Sequence, residues 1–262
     1  RHAKVCGTGD PSPTSAHTNK MPIGGVMQIK IYGAGLAGCE AALWLAAHGV
    51  QVDLYEQKPV KFSPAHKNKD FAELICSNSL KAERADSASG LLKLEMKTMG
   101  SHLLPIAETA RVAAGGALAV DRDVFAAAVT GAIKDCPGIT LHEGEATEID
   151  ESAPVLIATG PLTEGGLAEN IAALTGNHRL SFYDAVAPIV AAESLDMDKI
   201  FAQSRYDRGE ADYLNCPFNK AEYEAFYEAL VNAERAPLNE FDQKFEGNLT
   251  VYEGCMPIEV MA

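Results

Sequence analysis

MQIKIYGAGLAGCEAALWLAAHGVQVDLYE, residues 27–56, is the stretch from which the architecture follows. Apolar residues alternate through Ile29 and Ile31 and stop at Gly33, as a buried strand does. Leu36, Ala37, Glu40, Ala41, Leu43, Trp44, Leu45 and Ala47 then follow at helical spacing, with Gly49 just past the helix end. VQVDLYE is a second short strand ending at Glu56. Strand, glycine turn, helix and strand within about 30 residues is the βαβ unit of a dinucleotide-binding fold. Gly33-Ala34-Gly35-Leu36-Ala37-Gly38 is a GxGxxG fingerprint at the joint. Gly33 serves the tight turn, Gly35 lets backbone approach a pyrophosphate, and Gly38 lets helix and strand pack. Leu36 and Ala37 open the helix, whose free N–H groups and positive dipole end favour phosphate. Glu56 lies 18 positions after Gly38 and is placed to accept both ribose hydroxyl protons.

Working outward, Ala158-Thr159-Gly160 follows the apolar run APVLI and is a second strand end able to aim backbone amides at the same cofactor. Val120-Asp121-Arg122, before a helix, stands where two-dinucleotide flavoproteins carry a comparable segment. Either alone reads as a structural turn; all three in order favour FAD over NAD. The chain between Gln57 and Asn78 is irregular, broken by Pro59 and Pro64. Ser89 to Met99 reads as an amphipathic helix, and Asp123 to Lys134 as a helix with Val124, Phe125, Ala128, Val129 and Ile133 inward. ITLHEG and ATEID read as two paired strands. Beyond Gly176 the texture turns acidic and aromatic, which places a boundary near 176–180; Asn219 and Glu222 form a capping-box pattern at the head of a further helix. Residues 1–26 are rich in Gly, Pro, Ser and Thr, and Met27 is the expected start of the fold, making 1–26 a leader or artefact, 27–178 the N-terminal part of a dinucleotide-binding domain and 179–262 a separate domain of another kind.

Composition narrows the function. No apolar run approaches the roughly 20 residues of a membrane span, and six scattered cysteines without a CxxC pair favour a reducing cytoplasm and disfavour zinc. A net charge of −14 argues against a general nucleic-acid coat. Yet Lys58 to Lys97 holds eight basic residues against five acidic ones, either a solvated face or a local phosphate anchor.

The blocks GAGLAGCEAALWLAAHGVQVDLYE, PVKFSPAHKNKDFAELICSNSLKA, GGALAVDRDVFAA, IATGPLT, SRYDRGEADYLNCP and YEGCMPIEVMA together resemble, in order, the TrmFO family of folate-dependent tRNA uracil methyltransferases. The resemblance runs from Met27 to Ala262, and its last two blocks are not generic flavoprotein motifs. It implies a Rossmann-like α/β FAD-binding domain of the glutathione-reductase type, related to GidA, with an inserted α+β domain and a C-terminal part not present here. It implies 5-methyluridine formation in the tRNA T-loop, with carbon from methylenetetrahydrofolate and reducing equivalents from NAD(P)H through FAD. Cys76 in ELICSNSL and Cys255 in YEGCMPIE match the family's functional pair, Cys255 as the thiolate that engages uracil and Cys76 as the one near flavin. Without the resemblance each thiol reads as buried and inert. Lys58, Lys61, His66, Lys67, Lys81 and Arg84, with Arg205, Tyr206 and Arg208 as a second group, are the candidates for tRNA contact. The alternatives are a MnmG/GidA-like modifier of wobble uridine, a small-molecule FAD oxidoreductase, and a non-catalytic flavin-binding RNA chaperone or inactive fragment. An incomplete sheet would expose apolar edges, so weak FAD retention and poor solubility are the expectations for these 262 residues alone.

Overall fold

The computed structural model describes residues 27–75, 77–176, 190–204 and 210–234. Strand β1 (Gln28–Tyr32), helix α1 (Leu36–Ala47) and strand β2 (Gln51–Glu56) form the βαβ unit. Two later strands, β6 (Ile139–Glu143) and β7 (Val155–Ile157), flank it. The sheet order is β6-β2-β1-β7, and every pairing is parallel.

Side-chain alternation splits this sheet into two unlike faces. Ile31, Val52 and Leu54 point to the core, where Cys39, Ala42 and Leu43 of α1 and Phe125, Val129 and Ile133 of α4 (Arg122–Lys134) close over them. Phe125, Val129 and Ile133 recur at four-residue spacing, one stripe of the helix, and burying each side chain contributes roughly 1.5–3 kcal/mol. The opposite face carries Lys30, Tyr32, Asp53, Tyr55 and His142. Tyr55 lies between Tyr32, tilted against it at 4.9 Å between ring centroids, and His142, stacked on it at 4.5 Å. Lys30, buried in mid-strand, keeps its charge by pairing with Asp150 and donating to Ser152 Oγ at 2.6 Å.

Between β2 and β6 the chain adds β3 (Ser79–Ala82), α2 (Ala88–Thr98), α3 (Leu103–Thr109), β4 (Arg111–Val112) and β5 (Ala117–Val120). The three strands form an antiparallel sheet ordered β3-β5-β4, with an irregularity between Ser79 and Ala82 where Lys81 takes φ +67°. After β7 come α5 (Gly165–Thr175), the two-stranded β8 (Phe201–Ala202) and β9 (Leu214–Asn215), and α6 (Lys220–Val231). The β9 end rests on the β4–β5 turn: Tyr213 Oη donates to Ala114 O at 2.8 Å, and Gly115 N to Asp212 Oδ2 at 2.7 Å. Asn219 and Glu222 make the expected capping box on α6. The expected boundary at 176–180 runs into residues 177–189, outside the described residues, as do 1–26 and 235–262.

Two sequence expectations are corrected. ATEID is not a strand: β6 pairs with β2, and the residues after it loop toward the polar face of the sheet, where Asp150 N donates to Tyr32 Oη at 3.2 Å. Val124 is not inward but 52% exposed, because the apolar stripe of α4 runs through Phe125 and Ala126 instead. Among the described residues no helix is long and apolar enough to cross a membrane.

Candidate cofactor cleft

The C-terminal ends of β1, β2, β6 and β7 open on one cleft of about 300 Å³. Gly33, Ala34, Gly35, Leu36, Ala37, Glu56, Thr159 and Gly160, singled out from sequence, all line it. Such a crevice beyond the strand ends is where open α/β sheets bind ligands.

The three fingerprint glycines do three different things. Gly33 has φ +96°, and a Cβ there would lie 2.6 Å from Ala158 O, so the turn after β1 fits against the end of β7 only without a side chain. At Gly38 a Cβ would lie 1.8 Å from Gly33 O, which fixes how closely α1 packs on the turn. A Cβ on Gly35 would meet nothing within 4 Å. The space beside the head of α1 is therefore open. No side chain caps the helix there, which leaves its first-turn N–H groups free for an anion. A pyrophosphate fits this cradle, with backbone amides as donors and the helix dipole as the favourable field.

Glu56 is buried and fixed at both oxygens. Ala34 N donates to Oε2 at 2.8 Å, and Lys58 N to Oε1 at 2.9 Å. Each oxygen keeps a further lone pair, so the carboxylate can still accept from a ribose diol. On the far side, Thr163 Oγ1 donates to Thr159 Oγ1 at 2.6 Å or to Gly160 O at 2.7 Å, holding the Ala158-Thr159-Gly160 turn. Gly160 has φ +75°, and a Cβ there would also meet open space. The two glycine turns, far apart in sequence, thus touch through Gly33 and Ala158.

The basic candidates separate. Lys58 is corrected from tRNA contact to wall of the cleft: it is 4% exposed, and its ammonium donates to Asn68 O, Asp70 O and the Glu73 carboxylate. His66 also lines the cleft, half-buried, its Nδ1 2.5 Å from Ser63 Oγ; burial, then Lys58, pushes its pKa down, favouring the neutral ring. Lys61 bridges Glu145 at 2.7 Å and Glu164 at 2.9 Å, carboxylates from the loops after β6 and β7. Arg84 pairs with Asp86, whereas Lys67 and Lys81 are exposed and make no ion pair among the described residues. Cys76, Cys255, Arg205, Tyr206 and Arg208 lie outside the described residues. The chain on either side of position 76 is fastened: Arg122 Nη1 donates to Leu74 O and Ile75 O, and Val120 N to Asn78 O at 2.9 Å. Cys39 is buried, its thiol pKa pushed up to about 12, chiefly by desolvation.

Sequence reading missed Gly144, Glu145 and Ala146, which line the cleft after β6. Taking ATEID for a strand hid them. Pairing ITLHE with VQVDLYE as parallel neighbours would have brought them to the strand ends. Glu73 and Ser63 were missed too, lying in a loop with no periodicity to place them.

Residues 28–262 match the family model described as glucose inhibited division protein A. The methylenetetrahydrofolate--tRNA-(uracil-5-)-methyltransferase TrmFO of Listeria monocytogenes is 53% identical over 234 residues, 89% of this chain and 52% of the relative. The Bacillus subtilis protein of the same name is also 53% identical over 234 residues, with the same shares covered. The chain thus spans about half the length of the curated relatives it matches. The crystal structure of a GidA-related protein from Thermus thermophilus aligns at 19% identity and a TM-score of 0.30 over 52% of this chain and 54% of that one, too weak to carry an argument.

Proposed function

The chain belongs to the glucose inhibited division protein A family, and on that premise we propose that the protein is a folate-dependent tRNA (uracil-5-)-methyltransferase. It acts in the cytoplasm on T-loop uridine, using FAD, NAD(P)H and methylenetetrahydrofolate. The observation that carries this reading is 53% identity to proteins of that name, running through 89% of the chain. The cleft supports it by providing the features an adenine dinucleotide needs. Within the reading, the FAD-binding unit is of the glutathione-reductase type, and the part beyond residue 178 is an inserted α+β domain.

Each group then has a task. The N–H groups at the head of α1 hold the diphosphate, Glu56 orients the ribose, and Thr159 and Gly160 close the far wall. Bound there, FAD would supply the reducing equivalents that turn a transferred methylene into a methyl. Uracil C5 is a weak nucleophile until a group adds at C6. Cys255 is the thiolate assigned to that addition, and Cys76 is assigned to the flavin side. Lys67 and Lys81, with Arg205 and Arg208, hold tRNA phosphates, while the target base leaves its stack to reach the chemistry.

The test is methylation of unmodified tRNA by the complete protein with labelled methylenetetrahydrofolate, NAD(P)H and FAD. Label is expected at C5 of a T-loop uridine, with Cys255→Ala reducing the rate by on the order of 10³ or more. Label arriving from S-adenosylmethionine, or NAD(P)H oxidation indifferent to both tRNA and folate, would reject the reading.

A further inference from the structure

A closed circuit of hydrogen bonds encircles the fingerprint turn, and two of its members lie outside any nucleotide-binding motif. Ala34 N donates to Glu56 Oε2 at 2.8 Å, and Lys58 N donates to Glu56 Oε1 at 2.9 Å. The Lys58 ammonium reaches Glu73 Oε2 at 3.4 Å, while Glu73 Oε1 accepts from Lys67 N at 2.9 Å and Asn68 N at 3.0 Å. Next to Glu73, Ala72 N donates to Ala34 O at 2.9 Å, returning to the starting residue. Three separate pieces of chain meet here: the turn after β1, the end of β2, and the irregular loop 66–73.

Two observations argue that this circuit is more than packing. Lys58 and Glu73 are charges held almost out of water, with side chains 5% and 13% exposed, where an unpaired ion is strongly unfavourable. Ala72 is buried at φ +50°, a conformation unfavourable for a residue with a Cβ and maintained only where its surroundings insist on it. Backbone of this kind concentrates where a ligand site must be held to shape. Each of the two fingerprint-side groups, the Ala34 peptide and the Glu56 carboxylate, is gripped from both ends by the circuit.

We propose that Lys58 and Glu73 are positioning residues for the dinucleotide. Their ion pair sets the orientation of the Glu56 carboxylate and the wall opposite the head of α1, and so sets affinity for the adenosine half of the cofactor. The inference rests on the dinucleotide reading of the cleft. Because Glu73 acts through Glu56, the two should not contribute independently.

The experiment is a double-mutant cycle on the complete protein, reading FAD dissociation constants by flavin fluorescence. Glu73→Gln, which keeps size and shape, is expected to weaken FAD binding about tenfold, the ordinary scale of coupling within one hydrogen-bonded network. In a Glu56→Gln background the same change is expected to add less than about twofold. Amide exchange at Ala34 in the flavin-free protein is expected to speed up in Glu73→Gln, since its acceptor is no longer held. Lys58→Met serves as a second entry to the circuit; should it fail to fold, the Glu73→Gln cycle decides alone. Equal losses in both backgrounds would mean Glu73 supports only the fold, and would overturn the inference. A wild-type protein that takes up no flavin would overturn the dinucleotide reading and the inference with it.

Discussion

Gly35 and Gly38, three residues apart in one motif, should fail in opposite ways when given a methyl group. At Gly38 the new Cβ would sit 1.8 Å from a backbone oxygen, which cannot swing aside as a side chain could. Gly38→Ala is therefore expected to destabilise the fold by about 3 kcal/mol, with flavin lost as a consequence. At Gly35 the Cβ would enter open space, so Gly35→Ala should keep stability to within about 0.5 kcal/mol. That methyl occupies the side from which a diphosphate approaches, and FAD affinity should fall more than tenfold while melting is unchanged. Thermal melts beside flavin titrations separate the two; a Gly35→Ala protein with undiminished affinity would mean the diphosphate lies elsewhere. These glycines and Glu56 were legible in the sequence because the motif requires each of them for a local geometric reason. Lys58 was legible as a charge and misplaced, since composition records that a lysine exists but not that Asn68 O, Asp70 O and Glu73 wait for it across a loop.

Among elements, β1, α1 and β2 were readable because their patterning and turns are local, and α6 because its capping box closes within four residues. The β6 partnership was not, since alternation in ITLHEG says which side chains share a face but not which strand lies alongside. The same limit hid Lys30: in sequence it is the polar member of an alternating strand, in the structure a buried cation answered by Asp150 from 120 positions away. This pairing carries a pH signature. The Asp150 carboxyl is held down at about 2, first by its hydrogen bond from Lys30 and then by Ser152. A carboxylate whose folded pKa lies below its unfolded value, about 3.9, adds stability that is complete above that value and lost as pH falls toward the folded one. Urea midpoints measured from pH 5 down to 2 should therefore fall more steeply in the wild type than in Asp150→Asn between about pH 4 and 2. Parallel curves would show that Asp150 contributes nothing to the acid limb.

For the molecule as a whole, the proposed tRNA substrate raises the question of how a chain of net charge −14 would hold a polyanion. The structure narrows the means by removing cations from the count. Lys58 is enclosed, Lys61 is answered by two glutamates and Arg84 by Asp86, so counting basic residues between 58 and 97 overstates the available field. Lys67, Lys69 and Lys81 are exposed and lack an ion pair among the described residues; they hold the charge that a phosphate can use. Each such contact releases counterions, so the logarithm of the tRNA association constant should fall with the logarithm of salt by roughly 0.7–0.9 per contact. Replacing Lys67 and Lys81 together by Ala should make that slope shallower by about 1.4–1.8, with weakening that is similar for all tRNA sequences. Lys61→Ala should leave it nearly unchanged, because its charge is already spent on Glu145 and Glu164. Filter-binding isotherms at four or five salt concentrations measure both. A slope that survives loss of Lys67 and Lys81 would place the tRNA on another surface of the protein, and one that collapses with Lys61 would mean that its carboxylate pairs give way to phosphate.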